Sequence, residues 1–219
     1  KTRLLARAEA VTSTGAALHQ PLAQPRPSLY FPYRVHEAAP AVAARDVSVL
    51  VVGAGPIGLV TALGIAQQGV RCLLIESELQ VSEGSRAIVF TRRSMEILQQ
   101  VGAAEAIVAH GLPWRFGNSF YRGQRVFRME APQSADDRFA PMTNLQQQYV
   151  EQYLLDQVAH QPLIEMRWGH KVMRVLRNDA GAGVTLEVAT PHGTYEQSAS
   201  WAVAADGARS TLRTLCGLK

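Results

Sequence analysis

Residues 47–76 read VSVLVVGAGPIGLVTALGIAQQGVRCLLIE, and this stretch decides the fold. Val47, Val49, Leu50, Val51 and Val52 make a nearly continuous apolar, β-branched run, the pattern of a strand covered on both faces. Gly53, Gly55 and Gly58 then spell G-x-G-x-x-G. In that spacing the first glycine allows a tight turn, the second lets backbone approach a pyrophosphate, and the third lets a helix pack close to the strand. Pro56 suits the first helical turn, where no N–H is needed, and Gly69 ends a helix predicted over 56–68. The amides that open this helix would point at phosphates, where the helix dipole favours negative charge. Glu76 closes a second strand, at about the 20-residue spacing from which a carboxylate accepts ribose hydroxyls. Strand, glycine turn, helix, strand and acid in this order predict a βαβ unit that binds a dinucleotide.

Downstream, residues 77–90 read as a loop running into a short extended piece. Thr91 is placed to cap a helix over 92–101, with Met95, Ile97, Leu98 and Val101 as its apolar positions, and a further helix is expected from Ala103 to Ala109. From Leu112 to Met129 the apolar residues alternate around Arg122-Gly123, which predicts a hairpin, and 130–144 reads as a loop. LQQQYVEQYLLDQVAH (145–160) carries Val150, Tyr153, Leu154 and Val158 at helical spacing. An extended run from Ile164 through Trp168 to Leu176 is expected next. Gly183–Thr190 and Thr194–Ser200 follow as an antiparallel meander, set off by the turn residues at 178–181 and 191–193. His170 and His192 fall at a strand edge and a turn and are expected to be solvated. WAVA (201–204) is short and fully apolar, the pattern of a return to the central sheet before Asp206-Gly207. The fold class is therefore α/β, a Rossmann-like domain with a parallel central sheet and an antiparallel β-meander.

The 219 residues suffice for one large domain or two small ones, and 47% apolar with 18% charged residues is an ordinary globular composition. The net charge of +4 is modest and the arginines are spread along the chain, so nucleic-acid binding is not indicated. No apolar run reaches the roughly 18 residues of a membrane span. Cys72 and Cys216 are the only cysteines and show neither metal nor redox spacing, so no metal site follows, Cys72 reads as a small core residue, and a reducing cytoplasm fits. Residues 1–45, with prolines at 21, 25, 27, 32 and 40, read as an N-terminal arm or leader, and 46–219 as the nucleotide-binding domain.

Four separated features together resemble the FAD-binding domain of the para-hydroxybenzoate hydroxylase class of flavoprotein monooxygenases. They are VVGAGPIGL with Glu76, SRAIVFTRRSMEILQQVG at 85–102, Gln147 ahead of Val150-Glu151, and AADGARSTLR at 204–213. Within the class the chain is most similar to 3-(3-hydroxyphenyl)propionate hydroxylase-like aromatic hydroxylases. The resemblance implies FAD as cofactor, its pyrophosphate cradled by the backbones of Gly53, Gly55, Pro56, Ile57 and Gly58 and its adenosine ribose held by Glu76. By the same resemblance Arg86 would lie against the cofactor, Gln147 would bond toward the ribityl-flavin region, and the Val172 backbone would contact adenine. Asp206 would stand near the pyrophosphate and the nicotinamide approach, while Arg209, Ser210 and Arg213 stabilise the turn and helix that follow.

The implied reaction is hydroxylation of a small aromatic, phenolic substrate, with NAD(P)H as hydride donor and molecular oxygen as the other co-substrate. No nucleophile or general base is assigned, so the catalytic residues stay unknown, and a homodimer stays open. Another flavoprotein of the same fold (a halogenase, epoxidase or reductase) and a non-catalytic FAD-binding fragment are the alternatives. The family's second flavin motif, a Gly-Asp pair, and most of its substrate sheet are expected after Lys219. A chain of this length is expected to be an N-terminal fragment that is not active alone.

Overall fold

The computed structural model describes residues 32–45, 47–83, 87–176 and 183–218. The apolar run of the opening motif forms β1 (Val49–Val52), in which Leu50 and Val51 are sealed from solvent. After the glycine turn, α1 (Pro56–Gln67) buries Gly58, Leu59, Ala62, Leu63 and Ala66. Gly69, at φ +76°, turns the chain into β2 (Cys72–Glu76). A short strand, β3 (Val89–Thr91), leads into α2 (Arg92–Gln100), whose N-terminus is capped as its sequence predicts: Thr91 Oγ1 accepts from the Ser94 amide. Next come α3 (Ala104–His110) and β4 (Leu112–Trp114). The expected hairpin is β5 (Phe116–Tyr121) and β6 (Gln124–Glu130). Arg122 and Gly123 both take positive φ, +49° and +78°, as its tight turn requires.

Residues 130–144, expected to be a loop, end in β7 (Met142–Asn144), which pairs antiparallel with both β3 and β4. Three residues carry too little alternation to announce a strand, and only long-range pairing creates this one. Helix α4 (Gln147–Ala159) buries Val150, Leu154, Leu155 and Val158. The run expected from Ile164 to Leu176 divides at Gly169, φ +73°, into β8 (Ile164–Trp168) and β9 (Lys171–Leu176). The remaining elements are β10 (Val184–Thr190), β11 (Gly193–Ala199), β12 (Trp201–Ala204) and α5 (Thr211–Leu215).

The central sheet is parallel, in the order β12-β1-β2-β8, and β9-β10-β11 form the antiparallel meander. Alternate residues of the central strands feed two cores. Val51, Cys72 and Leu74 pack with Leu59 and Ala62 of α1, Met95 of α2, Ile107 of α3 and Leu154 of α4. Leu50, Val52, Leu73 and Ile75 face the other way, against Val172, Leu186, Val188 and Leu212 of the meander and α5. That double cover is why the central strands are apolar without alternation, each fully buried side chain contributing roughly 1.5–3 kcal/mol. Cys72 is part of this core, and burial pushes its thiol up to about 11, well away from nucleophilic use.

Residues 32–45 lie over the edge at β8 and reach the meander. The His36 amide donates to Leu79 O (2.8 Å) and the Ala39 amide to Trp168 O (3.2 Å). The His36 ring stacks on Trp168 at 4.3 Å and 2°. Ala44 and the side chain of Gln197 exchange two hydrogen bonds, 2.8 and 3.1 Å. His170, expected to be solvated, is instead buried beneath this segment. Its Nε2 bonds Ala39 O (3.1 Å) and its Nδ1 bonds the Tyr195 hydroxyl (2.8 Å), the arrangement of a neutral ring with both nitrogens satisfied.

A Cβ on Gly58 would lie 1.8 Å from Gly53 O, so Gly58→Ala must force α1 off β1 and is expected to cost about 2 kcal/mol or more in urea unfolding. An unchanged midpoint would refute that contact. Burial first, then the charges of Arg167 and His192, hold the His170 pKa below its ordinary 6.5 against an opposing bond to Ala39. The unfolded chain therefore takes up a proton that the folded chain resists, and stability present above that value is lost as pH falls below it. Between about pH 7.5 and about pH 5.5 the thermal midpoint is expected to drop, and His170→Gln should flatten the drop. An identical pH slope in the variant would exclude His170 as its source.

Candidate dinucleotide site

The three glycines of the motif have different physical reasons. Gly53 sits at φ +101°, and a Cβ there would come within 2.4 Å of Ala205 O. Gly58 is required by the approach of α1 to the Gly53 carbonyl. Gly55 has neither constraint: its φ is −71°, and a Cβ built there meets nothing within 4 Å. Protein packing thus explains two glycines and leaves the third facing open space, the space a pyrophosphate needs if backbone is to approach it. At the same place α1 begins with Pro56, has no side-chain cap and has no acidic residue in its first turn. Its first-turn amides and dipole are left to an anion. These features fit the diphosphate of a dinucleotide.

Glu76, at the end of β2, is half-buried against this turn. Its Oε2 accepts from the Ala54 amide (2.7 Å), and its Oε1 accepts from Ser77 Oγ and the Glu78 amide, both at 3.0 Å. A carboxylate has about four acceptor sites, so these bonds orient it and leave capacity for a ribose hydroxyl. Glu78 is pushed above the usual carboxylate range, by burial first and by the neighbouring Glu76 charge second.

Asp206 reaches the same turn from the other side. The Ala205 amide donates to Val52 O (2.8 Å), and this brings the 205–206 backbone against Gly53. The Asp206 carboxylate itself is turned to α5, accepting from Ser210 Oγ and from the Leu212 amide (3.0 Å). Ser210 caps α5 by accepting from the Arg213 amide (2.9 Å), and the Arg213 guanidinium donates to Ala208 O (2.7 Å). A groove of about 1160 Å³ opens behind this turn, lined by Trp201, Ala204, Asp206, Leu212 and Arg213. The glycine turn does not line it.

Gln147 is the first residue of α4, a helix that packs beside α1. It is half-buried and not solvated: its Nε2 donates to Glu151 Oε1 (2.6 Å) and to Ser82 Oγ (3.3 Å). Glu151 also accepts from the Ser82 amide (2.7 Å) and hydroxyl (2.8 Å). Arg86 lies outside the described residues. Val172 is on the outer strand of the meander, two residues beyond His170, whose amide donates to Glu76 O (2.7 Å). Its side chain is in the core, so only its backbone is free to serve a ligand. The structure thus gathers Gly53, Gly55, Gly58, Glu76 and Asp206 at the C-terminal ends of parallel strands, the usual crevice for a nucleotide. Gln147 belongs to a second cluster, with Ser82 and Glu151. Neither of those two is assigned a role from sequence, although Gln147 and Glu151 stand one helical turn apart.

The match to known proteins agrees with this geometry. Residues 46–219 match the family described as FAD binding domain. Over 176 residues the chain is 34% identical to para-nitrophenol 4-monooxygenase of Pseudomonas sp. (strain WBC-3), covering 78% of this chain and 42% of that protein. It is 32% identical to a 3-(3-hydroxy-phenyl)propionate/3-hydroxycinnamic acid hydroxylase of Mycolicibacterium smegmatis, covering 78% of this chain and 30% of the relative. The crystal structure of p-nitrophenol 4-monooxygenase PnpA from Pseudomonas putida DLL-E4 superposes with a TM-score of 0.73 at 32% identity, over 79% of this chain and 44% of that one. The chain therefore spans less than half the length of these relatives. With its glycine turn, acid and Asp-Gly turn assembled at one sheet end, and the match running from residue 46 to 219, the chain belongs to the FAD binding domain family, among members similar to the aromatic hydroxylases.

Proposed function

We propose that this chain is the FAD-binding part of an FAD-dependent, NAD(P)H-using monooxygenase that hydroxylates a small phenolic compound with molecular oxygen, and that it is not active alone. The observation that carries the cofactor part of this reading is Gly55, the motif glycine whose open side no described residue fills. The names of the relatives, a nitrophenol monooxygenase and a hydroxyphenylpropionate hydroxylase, support a phenolic substrate. Bound FAD would supply the hydride acceptance and oxygen activation that hydroxylation needs.

The chain's own part is to bind and orient. The backbones of Gly53, Gly55, Pro56, Ile57 and Gly58 cradle the pyrophosphate, and Glu76, already aimed by three donors, accepts from the ribose. Arg86 offsets phosphate charge, and Gln147 turns toward the ribityl chain. The Val172 backbone meets adenine, and the Asp206 turn closes the side nearest Gly53. The cytoplasm is the compartment proposed, from two cysteines that form no disulfide. Among the described residues no helix is long and apolar enough to cross a membrane.

The test is a titration of the purified chain with FAD, followed by flavin fluorescence, with NADH and NADPH oxidation measured on the same sample. Binding is expected. Gly55→Ala should weaken it at least about tenfold while leaving the unliganded chain's stability within about 0.5 kcal/mol, because the added methyl enters ligand space only. FAD binding unchanged in that variant would overturn the cradle. Flavin binding without sustained NAD(P)H oxidation is the expected result for this part of a longer hydroxylase, and turnover by the chain alone would overturn that reading.

A further inference from the structure

Glu151 is 1% exposed, a carboxylate taken out of water inside α4. Among the described residues no lysine, arginine or histidine is paired with it. Burying such a group is costly, and it persists only where its oxygens are satisfied. Here the donors are the Ser82 amide (2.7 Å), the Ser82 hydroxyl (2.8 Å) and the Gln147 amide nitrogen (2.6 Å). Ser82 belongs to the segment between β2 and β3, four residues before Arg86. Ser82 also closes the circuit by accepting from Gln147 through Oγ (3.3 Å).

The circuit dictates which way the Gln147 amide points. A carboxylate offers acceptors only, and the Ser82 hydroxyl has given its proton to that carboxylate. Both partners therefore demand the NH2 of Gln147, and turning the amide over would set its oxygen against a carboxylate and a lone pair. The carbonyl oxygen is the group this amide has left to present.

We propose that Glu151 is a positioning residue: it holds the Ser82 segment against α4 and turns Gln147 so that its carbonyl oxygen, not its NH2, meets the bound cofactor. The complementary chemistry is a hydroxyl donor, which the polyol chain of a flavin nucleotide provides and a bare nucleoside diphosphate lacks on that side. This deepens the FAD reading of the site and rests on it.

The experiment compares wild type, Glu151→Gln, Ser82→Ala, Gln147→Ala and the Gln147→Ala/Glu151→Gln double variant, each titrated with FAD and with ADP. Hydrogen exchange of the peptide spanning 81–83 is followed without ligand. Glu151→Gln keeps the volume but gives Gln147 a partner that no longer demands its NH2. It should weaken FAD about tenfold and leave ADP within about twofold. The double variant should be no worse than the Gln147 single variant, as expected of residues acting as one unit. Exchange at 81–83 should rise in Glu151→Gln and in Ser82→Ala. Equal losses for FAD and ADP would mean a general structural role and would overturn the proposal, as would unchanged FAD affinity in Glu151→Gln. A wild type that binds neither nucleotide sinks the FAD reading and this inference with it. A wild type that binds both, with Glu151→Gln indistinguishable from it, sinks this inference alone.

Discussion

The contact between α1 and the end of β1 is the constraint from which the rest of the structure follows. A helix can come this close to a strand only if the facing residue has no side chain, and Gly58 supplies that: a methyl there would lie 1.8 Å from the Gly53 carbonyl. The approach seats the buried face of α1 directly on Val51 and Leu74. It also fixes where the helix begins, so that uncapped amides face the crevice at the sheet's C-terminal edge. Gly53 then has to turn at positive φ beneath the Ala205 carbonyl, which brings the Asp206 turn to the same place. One close approach thereby aligns β1, α1 and the chain end of β12.

The central sheet transmits this alignment because both its faces are covered. Helices lie on one side and the meander with α5 on the other, and the strands between them have no wet face to shift toward. The same cover creates the unusual polar burials. Crossing from β8 to the segment 32–45 and on to β11 leaves backbone carbonyls and a histidine away from water. His170 resolves this by spending one nitrogen on Ala39 and the other on Tyr195, and Gln197 does the same for Ala44.

Around the crevice, polar side chains are oriented by the chain before any ligand arrives. Glu76 is held by the Ala54 amide within the glycine turn itself, so the acid and the phosphate cradle move as a unit. Asp206 is committed to the start of α5, so its backbone, not its carboxylate, abuts Gly53. In the separate cluster at the start of α4, Gln147 has both amide protons engaged by Ser82 and Glu151. Preorganisation of this kind lowers the ordering cost of binding a long, flexible cofactor.

Much of this was legible in the linear chain, and the division follows from range. Residues 47–76 by themselves determined strand, turn, helix, strand and acid, because each depends on contacts within one βαβ unit. The Thr91 cap and the Arg122-Gly123 hairpin were readable for the same reason, and WAVA was readable from its unbroken apolar run although its partner strand β1 lies far earlier in the chain. Only the tertiary structure decided what depends on partners far along the chain. Strand β7 exists because β3 and β4 flank it, and its three residues hold no pattern of their own. The run 164–176 divides between two sheets because Gly169 turns sharply beneath Ala38, a residue more than a hundred positions earlier. His170 is buried because a remote segment lies over it, and Glu151 is buried because Ser82 and Gln147 satisfy it. Sequence spacing states which chemical groups are present; burial and hydrogen-bond direction belong to the assembled layers.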